Sequence, residues 1–69
     1  MATAYLTGDT FPVRGRLQGA GWRWDASRKA YWKRVSADTT PDDVIRNVRL
    51  IGGIRNRGRF AATIEQEDR

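Results

Sequence analysis

The stretch Trp22-Arg23-Trp24-Asp25-Ala26-Ser27-Arg28-Lys29-Ala30-Tyr31-Trp32-Lys33-Arg34-Val35 consists of two aromatic-rich, alternating runs around a polar tetrad. Asp25 and Ser27 can each form a local side-chain turn, so the whole reads as a β-hairpin. Side chains alternate along a strand, which sets Trp22 and Trp24 on one face and Arg23 on the other. With Trp24 and Tyr31 as the core pair, Arg23, Trp32 and Arg34 emerge together on the opposite face.

Upstream of the hairpin, Thr3 to Thr7 alternates weakly around Tyr5 and Leu6 and suits a short strand, closed by the turn Gly8-Asp9-Thr10. Thr10 is placed to cap a helix whose first turn carries Pro12, where a missing N–H costs little. Val13, Leu17 and Ala20 then form one apolar stripe, leaving Arg14, Arg16 and Gln18 to water. Gly15 and Gly19 each cost about 1 kcal/mol relative to Ala inside a helix, so this helix depends on tertiary packing, and Gly21 is its expected stop. Downstream, Thr40-Pro41-Asp42-Asp43 is a strong helix start: a cap, a proline at the first position, and two acids at the positive end of the dipole. Val44, Val48 and Ile51 continue as a stripe to Gly52-Gly53. Arg55-Asn56-Arg57-Gly58 reads as a basic loop, and Arg59 to Glu65 as a half-buried strand with Phe60, Ala62 and Ile64 on one face.

The element order is therefore strand, helix, strand, strand, helix, strand. This predicts an α+β domain of the split β-α-β, ferredoxin-like kind, with two helices covering one face of an antiparallel sheet. The other sheet face is left as a platform. One such domain accounts for residues 1–69, with an ordered core over about 3–65.

Composition narrows the function. With no cysteine and no histidine, neither disulfides nor a zinc site can staple the fold. Nucleophilic or acid–base catalysis lacks its usual groups, since Ser27 and Ser36 have no evident base. Asp42 and Asp43 are explained by helix capping, Asp25 by the turn, and Gly19-Ala20-Gly21 and Gly52-Gly53 are not phosphate loops. No enzyme activity, cofactor, metal or small-molecule substrate is expected. No run reaches the ~18 apolar residues of a membrane span, and the first residues carry neither a basic leader nor an apolar run. The expectation is a cytoplasmic protein, a monomer or weak homodimer, that binds no membrane.

Charge is segregated. From Thr10 to Ala37 there are seven basic residues against the single acid Asp25, and from Val44 to Ile64 five arginines and no acid. Such segregation favours a polyanion, because each cation placed on a phosphate releases counterions. Eleven Arg to two Lys is also what a GC-rich genome produces, with the charges merely solvating the surface.

Phe11-Pro12-Val13, Leu17, Gly21, Arg23-Trp24-Asp25 and the stretch from Lys29 to Trp32 together resemble a small uncharacterised bacterial and phage domain family. The layout is a leucine-bearing helix, a glycine, Arg-Trp-Asp, a short basic turn and a closing tryptophan or tyrosine pair. It is similar to the HARP (HepA-related) domain, the substrate-recognition module attached to DNA annealing helicases. The resemblance covers roughly residues 5 to 35. It implies that Trp24 and Tyr31 are structural and that the helix arginines and the hairpin face DNA. Trp22 stands where the relatives usually have glycine or alanine, and Lys33-Arg34 where they tend to have Val-Pro.

Trp24, Tyr31 and Phe60 are expected in the core, while Trp22 and Trp32 are open to either packing or exposure. An exposed tryptophan beside arginines is the composition of a base-stacking platform and equally of a protein–protein hot spot. The expected binding residues are Arg14, Arg16, Trp22, Arg23, Arg28, Lys29, Trp32, Lys33, Arg34, Arg55, Arg57 and Arg59. The expected function is recognition of single-stranded or structured nucleic acid by phosphate contacts and stacking. The alternative is an inhibitor from a phage or mobile element, resembling anti-CRISPR proteins, that occludes a host nucleic-acid-binding protein complex.

Overall fold

A computed structural model of the chain describes residues 1–52 and 59–66. Strands β1 (Ala2–Gly8), β2 (Arg23–Asp25), β3 (Ala30–Val35) and β4 (Phe60–Gln66) form one sheet in the order β2-β3-β1-β4. Every neighbouring pair is antiparallel. A 3₁₀ turn (Phe11–Val13) leads into helix α1 (Arg14–Gly19) between β1 and β2, and helix α2 (Pro41–Gly52) lies between β3 and β4 in the chain. The architecture is thus α+β, and each helical connection passes over one strand of the sheet. No helix among the described residues is long and apolar enough to cross a membrane.

The alternation of β1 separates the two sheet faces. Ala2, Ala4 and Leu6 are fully buried, whereas Thr3 and Tyr5 are only half-buried. Leu6 lies opposite Tyr31 on β3 and Ala62 on β4, and Ala4 opposite Ile64. Both helices cover this side: Val13, Leu17, Val44 and Val48 join Ala4, Leu6, Trp22 and Tyr31 in one cluster, with Ala20, Val35, Phe60, Ala62 and Ile64 packed against it. Burying each large side chain then contributes roughly 1.5–3 kcal/mol.

Helix α2 begins as its sequence predicts. The Asp43 N–H donates to Thr40 Oγ1 at 3.2 Å, and the Thr40 N–H donates to Asp43 Oδ2 at 3.1 Å, a reciprocal capping box. The Thr40 N–H first, and then the Thr40 hydroxyl, hold the Asp43 carboxyl below its ordinary value. Thr10, by contrast, makes no side-chain cap. It is already in the helical region (φ −83°, ψ −20°), and its carbonyl accepts from the Val13 N–H at 3.1 Å instead.

Helix α1 ends in a Schellman turn, and this turn corrects the assignment of the tryptophans. The Trp22 N–H donates to the Leu17 carbonyl at 2.9 Å and the Gly21 N–H to the Gln18 carbonyl at 3.1 Å, with Gly21 at φ +97°. The motif brings the residue after its glycine back against the last turn of the helix. Trp22, open to either packing or exposure by sequence, therefore packs in the core with Leu17 and is 5% exposed. Trp24, expected in the core, is 50% exposed. It does stack edge-on against Tyr31, with ring centroids 5.0 Å apart, but β2 is the outer strand of the sheet and one side of the indole is left to water. Tyr31 is buried as expected, and Phe60 is half-buried against the core.

Candidate nucleic-acid interface

Opposed residues on antiparallel strands point to the same side, so the register lays out the sheet face away from the helices. One row runs Arg23 on β2, Trp32 on β3, Tyr5 on β1 and Thr63 on β4. The next row runs Arg34, Thr3 and Glu65. The expectation that Arg23, Trp32 and Arg34 share a face agrees with this register. Because β2 begins at Arg23 while β3 runs on to Val35, a notch opens at the sheet edge, lined by Gly21, Arg23, Trp32, Lys33 and Arg34.

Each aromatic ring of the row carries a guanidinium. Arg23 lies over Trp32 with 5.8 Å to the ring centroid, and Arg28 over Tyr5 at 4.3 Å. Such cation–π contacts suit arginine, whose planar, weakly hydrated head stacks on aromatic faces. Arg28 leaves the hairpin loop to reach Tyr5 and is held by two carboxylates. Its Nη1 lies 3.3 Å from Glu65 Oε1, and its Nε lies 3.7 Å from Asp25 Oδ2. Partial burial raises the Tyr5 phenol above its ordinary value of 10.0, the Arg28 charge works against that rise, and Glu65 reinforces it.

The hairpin loop that launches Arg28 is tied down by Asp25. Its Oδ1 accepts the Ser27 hydroxyl at 2.8 Å and the backbone N–H groups of Ser27 and Arg28 at 3.0 and 3.3 Å. These bonds, the Ser27 hydroxyl first, hold the Asp25 carboxyl below its ordinary value. Lys29 closes the loop in the left-handed region at φ 53° and is exposed.

Arg14, Arg16 and Lys33 are engaged elsewhere. Arg14 lies over the Phe11 ring at 3.9 Å and donates to the Phe11 carbonyl at 2.8 Å. Arg16 donates to the Ile51 carbonyl at 3.2 Å, at the C-terminal end of α2, so both belong to the helical layer. Lys33 alternates to the helix side, where its ammonium donates to the Ala20 carbonyl at 3.1 Å, and it also borders the notch. Arg59 is exposed at the start of β4, where its N–H donates to Asp9 Oδ2 at 3.0 Å. Arg55 and Arg57 lie outside the described residues.

Sequence reasoning missed Tyr5. Its signal was its phase: it falls between Ala4 and Leu6, so a buried alanine–leucine set sends it to the other face. That it meets Trp32 depends on β1 lying beside β3. Among the described residues no group of three or more His, Asp or Glu side chains is placed to hold a metal ion. No protein-family model, curated protein or solved structure matches this chain.

Proposed function

We propose that the protein is a small non-enzymatic module that binds nucleic acid on the sheet face bearing Arg23, Trp32, Tyr5 and Arg34. The observation that carries this reading is the row of cations and aromatic rings on the side away from both helices. Aromatic faces stack on bases without demanding a sequence, and neighbouring guanidiniums take the phosphates. The resemblance to the HARP layout points to the same class of partner, and on this reading the protein works in the cytoplasm. The element order and the antiparallel order β2-β3-β1-β4 support assignment to the split β-α-β, ferredoxin-like type, whose free sheet face serves as the platform.

The test is fluorescence anisotropy of labelled oligonucleotides at two salt concentrations, with an Arg23→Gln/Arg34→Gln variant. Two or three phosphate contacts predict that log affinity falls with log salt at a slope of roughly −1.4 to −2 for a single strand. The variant is expected to bind more weakly and to flatten that slope. Absence of binding at low salt refutes the proposal. A second reading, docking on a host nucleic-acid-handling complex as an inhibitor, draws on Trp24, a half-exposed tryptophan on an outer strand. It predicts binding insensitive to salt and lost in Trp24→Ala.

A further inference from the structure

We infer that Tyr5 and Trp32 form a two-base stacking site for single-stranded nucleic acid, and that Arg28 is its displaceable cover. The inference rests on the nucleic-acid reading above and names the form of nucleic acid that the face selects.

Tyr5 and Trp32 are directly opposed on the two inner strands of the sheet. Side chains so placed are rooted about 4.5–5.5 Å apart and stand side by side on the sheet. Bases within a duplex are stacked about 3.4 Å apart along the helix and turn only their edges and phosphates outward. A duplex cannot lay two base faces side by side on such a pair of rings, whereas an unpaired strand can splay its bases to do so.

The group over Tyr5 resembles part of a nucleotide in shape and in its pairing with anionic oxygens. The Arg28 guanidinium lies over the Tyr5 ring at 4.3 Å, near where a base plane would stack, and Arg23 stands farther off Trp32 at 5.8 Å. The Arg28 head is held in turn by the carboxylates of Glu65 and Asp25, anionic oxygens of the kind a phosphate supplies. The Arg28 and Glu65 side chains are 50% and 56% exposed, and an ion pair that exposed contributes little. A phosphate can therefore take Arg28 from Glu65 at small cost. Moving the guanidinium a short distance uncovers Tyr5 and leaves the cation beside the incoming strand. A polyanion without bases would gain the ion pair and nothing from the uncovered ring.

The test uses a labelled twelve-nucleotide oligo(dT), a duplex of the same length, and inorganic polyphosphate as competitor. The full chain is compared with Tyr5→Leu, Trp32→Leu, Glu65→Gln and Asp38→Asn, each checked for fold by circular dichroism. The single strand is expected to bind more tightly than the duplex. Each leucine variant should weaken single-strand binding roughly 5- to 150-fold, the range that corresponds to loss of one stacked base. Polyphosphate binding should stay unchanged in both. Glu65→Gln removes one of the two carboxylates that hold the cover and should tighten single-strand binding by more than Asp38→Asn, which removes the same charge from the loop before α2. Should the leucine variants fail to fold, that last comparison decides the matter, because neither amide variant alters the core. Equal binding of single strand and duplex, with leucine variants within about twofold of the parent, would overturn the stacking site while leaving a phosphate-binding module. Equal effects of Glu65→Gln and Asp38→Asn would overturn the cover. No binding of either oligonucleotide would remove the functional proposal and this one with it.

Discussion

Replacing Trp22 by alanine should destabilise the protein about twice as much as replacing Trp24. An aromatic side chain of this size buries roughly 150–250 Å², which at about 25 cal/mol per Å² corresponds to roughly 4–6 kcal/mol. Unfolded chains already bury part of that area, and buried aromatic-to-alanine changes typically cost about 3–5 kcal/mol. Trp22 is 5% exposed and lies within the main cluster, so it should fall in that range. Trp24 is 50% exposed on the outer strand, so its removal forfeits about half the area and its edge-on contact with Tyr31, and leaves no closed cavity. About 2 kcal/mol is expected for it. A chain of this length has roughly 3–10 kcal/mol of total stability, so Trp22→Ala brings the protein to the margin of folding. At about 4–8 °C per kcal/mol, the two variants should differ in Tm by roughly 8–16 °C. Thermal unfolding followed by far-ultraviolet circular dichroism measures both without relying on the indole that was removed. If Trp24→Ala lowers Tm as much as Trp22→Ala, the Schellman account of which tryptophan is inside is wrong.

Gly8 and Gly21 both have positive φ (+109° and +97°), yet they should respond differently to alanine. At Gly21 a methyl group meets only the Lys33 side chain at 3.9 Å, so the cost is conformational, about 1–2 kcal/mol. At Gly8 the methyl would also collide with the Arg59 carbonyl, which accepts the Asp9 N–H, so Gly8→Ala should be the more damaging in urea denaturation. Thr40→Ala removes the cap of α2 and should cost about 1 kcal/mol by the same assay, with Thr40→Ser restoring most of it. The Asp25 and Asp43 carboxyls are both held below the ordinary 3.8 in the folded state. Their contribution is therefore complete above that value and is lost as pH falls through their lower folded pKa values. The parent should lose stability on acidification below about pH 4, and an Asp25→Asn/Asp43→Asn variant should show a flatter acid limb. An unchanged acid limb in that variant would refute the assignment.

Local chemistry was legible in the chain itself. Thr40, Pro41 and Asp43 define the start of α2, Asp25 and Ser27 define the hairpin loop, and Val44 and Val48 define the buried stripe, because each acts on residues within one or two turns of itself. The α+β class and the shared face of Arg23, Trp32 and Arg34 follow from the same short-range rules of alternation and periodicity. Tertiary structure decided the rest. Trp22 and Trp24 share one parity, and only the docking of α1 and the outer position of β2 send one inside and leave the other half in water. Arg14, Arg16 and Lys33 look like their neighbours in sequence, but the carbonyls that hold Arg16 and Lys33, on Ile51 and Ala20, come within reach only when the helices dock. Tyr5 meets Trp32, and Arg28 reaches Glu65, because β1 lies between β3 and β4. That placement is set by burial of Ala4 and Leu6 beneath the helices, an interaction no local pattern contains.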